Sequence, residues 1–237
     1  MDNASPAQQL EKAVPPPVRS HATLYIAVGL VVCIASLLVF AQLVDSVSEN
    51  GFLVQFDVAL ANALHSVATS GSTAAFELIS LFGGTILFGW SVVVGAIFAW
   101  RRQWLGLIMW AITIVGGELL NTVLKLFFAR PRPTFATPLV IERFYSFPSG
   151  HAMMSFIAYG MLAYIICVLL KNNAQRLLVI LATGFIIIAI GISRIALGVH
   201  YFSDVAAGYS VAALWLFTCI TTWRFIHQRR AAHSPTA

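Results

Sequence analysis

Charge is the scarcest property of this sequence. Only 10% of its 237 residues are Asp, Glu, Lys or Arg, against about 25% in an ordinary soluble domain. So few charges cannot cover a globular surface, which excludes a water-soluble domain and leaves lipid to cover much of the molecule. Cysteine is scarce too. Cys33, Cys167 and Cys219 each stand alone in an apolar run, with no CxxC or Cys/His pairing. They read as packing residues, with neither a disulfide nor structural zinc expected. No internal repeat is present. No group of Asp, Glu and His stands at metal-ligand spacing, so no bound metal or cofactor is expected. The net charge of +5 is modest; its placement carries more than its sum, and no nucleic-acid partner is expected.

Long apolar runs fill the space the charges leave. A membrane span needs about 20 mostly apolar residues. Six stretches qualify: Leu24–Val44, Leu81–Trp100, Trp104–Phe128, Ala152–Leu170, Leu177–Leu197 and Val205–Trp223. Backbone groups in lipid must bond internally, so these are helices. The first run is too long for a signal-peptide core and has no cleavage site. The expected fold class is therefore all-α, an integral membrane bundle of six transmembrane helices with both termini cytoplasmic. Residues 1–22 read as a flexible, Pro-rich cytoplasmic tail. Residues 23–225 read as the membrane domain, and 226–237 as a basic cytoplasmic tail. In Asp45–Ser80, Phe56, Leu60 and Leu64 recur at helical spacing, which suggests an amphipathic helix in the interface. Trp90, Trp100, Trp104 and Trp110 read as interface anchors and core.

The basic residues fall into two sets. Lys12, Arg19, Arg101, Arg102, Lys171, Arg176, Arg224, Arg229 and Arg230 gather on one side, nine of the 14. The positive-inside rule places that side in the cytoplasm. Lys125, Arg130, Arg132, Arg143 and Arg194 lie on the other side, although Asp45–Ser80 contains no Lys or Arg at all. A cationic cluster against the topological bias, beside histidines, suggests an anion site.

Three segments hold that cluster: Lys125 to Pro133, Pro148-Ser149-Gly150-His151, and Ser193 to Asp204. The expected topology brings all three to one membrane level. Lys125, Arg132 and Arg194 can surround a tetrahedral anion, the arginines bidentately. Ser149 and Gly150 stand where a helix begins, with free N–H groups and room for close approach. Ser149 also reads as an N-cap. Histidines supply a nucleophile and an acid. Asp204 follows His200 by four residues, close enough to fix the tautomer of its ring.

These residues resemble the signature of the type 2 phosphatidic acid phosphatase superfamily, which includes vanadium haloperoxidases and glucose-6-phosphatase. K-x6-R-P, P-S-G-H and S-R-x5-H-x3-D all occur, in order, between Lys125 and Asp204. The resemblance implies catalytic roles for His200, His151 and Asp204. His200 attacks phosphorus, Asp204 orients it, and His151 protonates the leaving oxygen and then activates water. It implies that Lys125, Arg132, Ser149, Gly150 and Arg194 hold the phosphoryl oxygens, with no metal. The catalytic core spans about 125–204. The expected substrate is a lipid phosphate or diphosphate in the bilayer, undecaprenyl diphosphate first, with phosphatidylglycerophosphate, phosphatidate and lipid A as rivals. Phosphate transfer to a second lipid is the alternative reaction. A bacterial inner membrane with a periplasm-facing site suits the compact chain, whose sequence leaves the oligomeric state unspecified.

Several residues beside the motifs have readings of their own. Glu118, Asn121 and Lys125 share a helix face. Glu118 is expected on the pocket floor, paired with a buried donor, since intramembrane carboxylates usually point inward. Arg130 reads equally as a phosphate or headgroup contact and as a plain interfacial charge. Glu142 and Arg143 read as a loop pair. His21, His65, His227 and His233 read as solvated or interfacial.

Overall fold

A computed structural model describes residues 19–49 and 51–233, and every regular element among them is helical. In chain order these are α1 (Arg19–Ser48), α2 (Phe52–Ser66), α3 (Ser70–Leu81), α4 (Thr85–Trp100), α5 (Trp104–Phe128), α6 (Gly150–Leu169), α7 (Asn173–Ala196) and α8 (Phe202–His233). Six segments are long and apolar enough to cross a membrane: α1, α3 with α4, α5, α6, α7 and α8. Their outward faces are apolar. Phe88, Leu119, Phe127, Leu181 and Phe185 are all exposed, as lipid-facing side chains must be. The greater part of the 1–22 tail, and residues 234–237, lie outside the described residues.

The spans agree with the hydropathy reading, and the connection before the second one does not. Gly83 and Gly84 end α3 and open α4, so the second crossing is two helices meeting at a turn. The expected amphipathic helix is α2. It buries Asp57 and Ala61, packs Leu60 and Leu64 on a core of Ala152, Ile195 and Val205, and sets Phe56 edge-on to Phe202. Trp110 is buried and Trp90 packs beside it, while Trp100 and Trp104 stand exposed near the α4–α5 turn.

Helix α6 is the axis of the bundle. It packs on α5, α7 and α8, and Ala152, Met153, Ile157, Ala158 and Met161 are all fully buried along it. A helix apolar all round belongs inside a bundle. The α4–α5 and α6–α7 turns and the first turn of α7 carry Arg101, Arg102, Lys171 and Arg176 at one end. The end of α5, the start of α6 and the α7–α8 turn come together at the other. The three signature segments are therefore brought to one end of the molecule by short connections and one 21-residue loop, 129–149.

Candidate active site

The site is assembled where those three segments and the 129–149 loop meet. Lys125 lies in the last turn of α5 and is buried beneath the 129–149 loop, donating to the Tyr145 carbonyl at 2.5 Å. Arg132 leaves that loop and donates to the Phe144 carbonyl at 2.5 Å and the Val199 carbonyl at 2.8 Å. Arg194, in the last turn of α7, donates to the hydroxyl of Ser80 and to Glu142 Oε1, the latter at 2.6 Å. Gly150 opens α6 against the carboxamide of Asn121: a Cβ there would stand 2.9 Å from Asn121 Oδ1. His151 follows in the first turn of α6, with its ring against Gly83 and Gly84.

His200 sits in the α7–α8 turn, which Gly198 makes possible with φ +68°. Its ring is buried between opposite charges. Arg132 Nη1 lies 3.2 Å from Nε2, and Asp204 Oδ2 lies 3.4 Å from Nδ1. Arginine can only donate and a carboxylate only accepts. These neighbours assign the proton to Nδ1 and leave the lone pair of Nε2 facing Arg132. Burial pushes the His200 pKa well below its ordinary value, and Arg132, Arg194 and Lys125 push it further. The ring is therefore a neutral base at neutral pH, which a nucleophile requires.

Two buried polar atoms in this cluster have no hydrogen-bond partner, Ser149 Oγ and Arg194 Nε. Buried polar atoms are nearly always satisfied, and exceptions call for an explanation. An oxyanion between these groups would satisfy both. Ser149 is not the side-chain N-cap its position suggested, because its hydroxyl makes no capping bond. Its backbone N–H donates to the Asp204 carbonyl at 2.9 Å. His151 and Arg194 also line a cavity of about 620 Å³ whose other walls include Leu78, Leu81, Val140 and Leu197.

Three further readings are corrected. Glu118 is exposed, with no hydrogen bond or ion pair among the described residues. The buried stripe of α5 runs through Thr113, Gly117, Asn121 and Lys125, and four-residue steps drift round the helix by about 40° each. The drift brings Lys125 over Glu118, but only Lys125 has the 129–149 loop to cover it. Arg130 is neither a phosphate contact nor an interfacial charge: it forms buried ion pairs with Asp57 at 3.0 Å and Asp204 at 2.6 Å. Glu142 pairs not with Arg143 but with Arg194, and reaches Arg132 at 3.7 Å. Burial alone would raise the Glu142 carboxyl, yet Arg194 and Arg132 hold it below its usual range. His65, read as solvated or interfacial, is half-buried and stacks on Phe135 at 4.0 Å. The side chains of His21, His227 and His233 lie outside the described residues.

Asp57, Ser80, Glu142 and Ser203 are the participants that motif spacing did not single out. Their partners lie far along the chain: Asp57 is 146 residues from Ser203, and Ser80 is 114 from Arg194. Asp57 did carry one legible signal, a carboxylate on the apolar stripe side of α2 between Phe56 and Leu60.

The comparisons agree with the geometry. The family model of the PAP2 superfamily matches residues 105–228, which takes in every signature residue. Phosphatidylglycerophosphatase B of Bacillus subtilis (strain 168) is 41% identical over 129 residues, 53% of this chain and 62% of that protein. The match thus spans less than two thirds of that relative's length. The crystal structure of a transmembrane PAP2-type phosphatidylglycerolphosphate phosphatase from Bacillus subtilis superposes with a TM-score of 0.73 at 30% identity, covering 86% of this chain and 98% of that one. Aquifex aeolicus LpxE shares the fold, with a TM-score of 0.54 at 22% identity over 70% of this chain and 95% of its own. A histidine set between Arg132 and Asp204, in a six-span bundle that carries the full signature, has a home among these proteins: the chain belongs to the PAP2 superfamily.

Proposed function

We propose that this protein is a membrane lipid phosphatase that hydrolyses a lipid phosphate monoester through a phosphohistidine on His200, at the periplasmic face of a bacterial inner membrane. The observation that carries the reading is the lone pair of His200 Nε2 meeting Arg132 Nη1 at 3.2 Å, with Lys125 and Arg194 near enough to act on the ring and two unsatisfied buried donors, Ser149 Oγ and Arg194 Nε, in the same cluster. Phosphatidylglycerophosphate ranks first among substrates. Its support is the substrate for which the Bacillus subtilis relatives are named, which moves it ahead of undecaprenyl diphosphate, the first expectation from the sequence.

The chemistry runs in two steps. Nε2 of His200 attacks phosphorus in line, the P–O bond to the lipid alcohol breaks, and His151, entering the step as the imidazolium, gives a proton to the departing oxygen and becomes neutral. Water then attacks phosphorus, His151 takes its proton, the N–P bond breaks and phosphate leaves. Lys125, Arg132, Arg194 and the N–H groups at the start of α6 stabilise charge on the phosphoryl oxygens, a preorganised arrangement that needs no reorganisation during reaction. Lys125, Arg132 and Arg194 against Glu142 leave two positive charges, which suits a phosphate dianion. The apolar cavity beside His151 suits the departing lipid alcohol.

The test is phosphate release by the purified protein in detergent with a chelator present, on phosphatidylglycerophosphate, phosphatidate, undecaprenyl diphosphate and lipid A. Release fastest from phosphatidylglycerophosphate, undiminished by chelator, is expected. Release from none of the four would overturn hydrolysis in favour of phosphate transfer to an acceptor lipid. A faster undecaprenyl diphosphate reaction would overturn the substrate choice.

A further inference from the structure

The signature accounts for one carboxylate behind the nucleophile, and the structure holds two. Asp57, on α2, is fully buried and uses both of its oxygens. Oδ1 accepts the Ser203 N–H at 3.0 Å, and Oδ2 accepts Arg130 Nη2 at 3.0 Å and the Ser203 hydroxyl. The other branch of the Arg130 fork, Nη1, donates to Asp204 Oδ1 at 2.6 Å and to Ser203 Oγ at 2.7 Å. The guanidinium rests on the ring of Tyr201, 4.4 Å from its centroid. Asp204 Oδ2 receives the Tyr201 N–H at 2.9 Å and faces His200 Nδ1. The result is an unbroken buried chain, Asp57–Arg130–Asp204–His200, in which no side chain is more than 10% exposed.

We propose that Asp57 and Arg130 are positioning residues that act through Asp204 on His200. The inference rests on the phosphatase reading above. Two physical arguments carry it. The first is charge. Arg130 alone would neutralise Asp204 and weaken its hold on the imidazole. Asp57 takes the other half of the guanidinium fork, so the three groups together keep one net negative charge beside His200. That charge matches the positive charge the ring acquires when Nε2 bonds to phosphorus. The second is geometry. A fork held at both ends by carboxylates cannot rotate, and buried charge pairs are strongly coupled to the loss of either partner. Asp204, and through it the aim of Nε2, is therefore fixed from α2, an element outside the signature. A residue that served only to cap α8 would need the Ser203 bond and no arginine.

The experiment is steady-state phosphate release from phosphatidylglycerophosphate in detergent, with melting temperatures taken on the same samples. Wild-type release is the control for the reaction itself: its absence would count against the phosphatase reading and not against this coupling. With wild-type turnover present, Asp57→Asn and Arg130→Lys should each lower kcat by about tenfold or more while KM stays within about twofold, the signature of an interaction made in the transition state. The double variant should lose no more than the worse single one, because members of one network are not additive. If Asp57→Asn does not yield folded protein, Ser203→Ala, which removes one hydroxyl from the network, should still lower kcat severalfold at constant KM. Wild-type kcat per folded molecule in Asp57→Asn and Arg130→Lys would overturn the proposal. So would losses that multiply in the double variant, or losses that appear in KM.

Discussion

At the scale of the residue, His200 is held between a carboxylate on one ring nitrogen and an arginine on the other. Its pH behaviour follows. Burial and the cations lower its pKa, so the ring stays neutral as pH falls past the ordinary imidazole value near 6.5. The acid limb of kcat/KM that reports His200 should lie below that value. Arg132→Gln removes a cation, so the limb should move up in pH as well as activity falling; a pH–rate series on both proteins checks the direction. Arg194→Lys keeps the charge but loses the fork that reaches Ser80 and Glu142. It should cost about 10²-fold in kcat/KM, as loss of one preorganised donor does. Glu118 provides the contrast. Exposed and unpaired among the described residues, it should accept Glu118→Gln with activity within about twofold of wild type, as surface changes usually do.

At the scale of the element, the break between α3 and α4 and the packing of α6 set the catalytic geometry. His151 lies against the Gly83–Gly84 turn, where a Cβ on Gly84 would come within 2.9 Å of His151 Nε2. Gly84→Val should therefore displace His151, the proposed acid, and lower kcat while KM changes little, read by the same phosphate-release assay. Gly160 faces Leu216 across the α6–α8 contact, with a Cβ there only 2.5 Å from Leu216 Cδ2. Gly160→Val should lower stability by about 1–3 kcal/mol through overpacking, measured as a fall in melting temperature. Neither glycine was legible as special in the sequence. Their neighbours come from other helices, and hydropathy carries no information about which small residue faces which large one. The same holds for α3, whose apolar residues merge with those of α4 until the turn is seen.

At the scale of the whole molecule, the spans and the grouping of the signature at one end were legible. Membrane length fixes helix length, and short connections fix the order of crossing. The eleven signature residues were legible because they lie on three continuous stretches with fixed spacing. What escaped were side chains that reach the site from elsewhere. Asp57 arrives on α2, and Glu142 turns away from Arg143 to a cation 52 residues on. Arg130 was misread because its partners are buried carboxylates that no local spacing reveals.

The most direct measurement is rapid quenching of the first turnover with phosphate-labelled lipid, followed by mapping of the labelled peptide. The account expects acid-labile, base-stable label on the peptide containing His200, formed at least as fast as turnover and absent from His200→Ala. Turnover with no labelled enzyme, or label on the peptide containing His151, would contradict it.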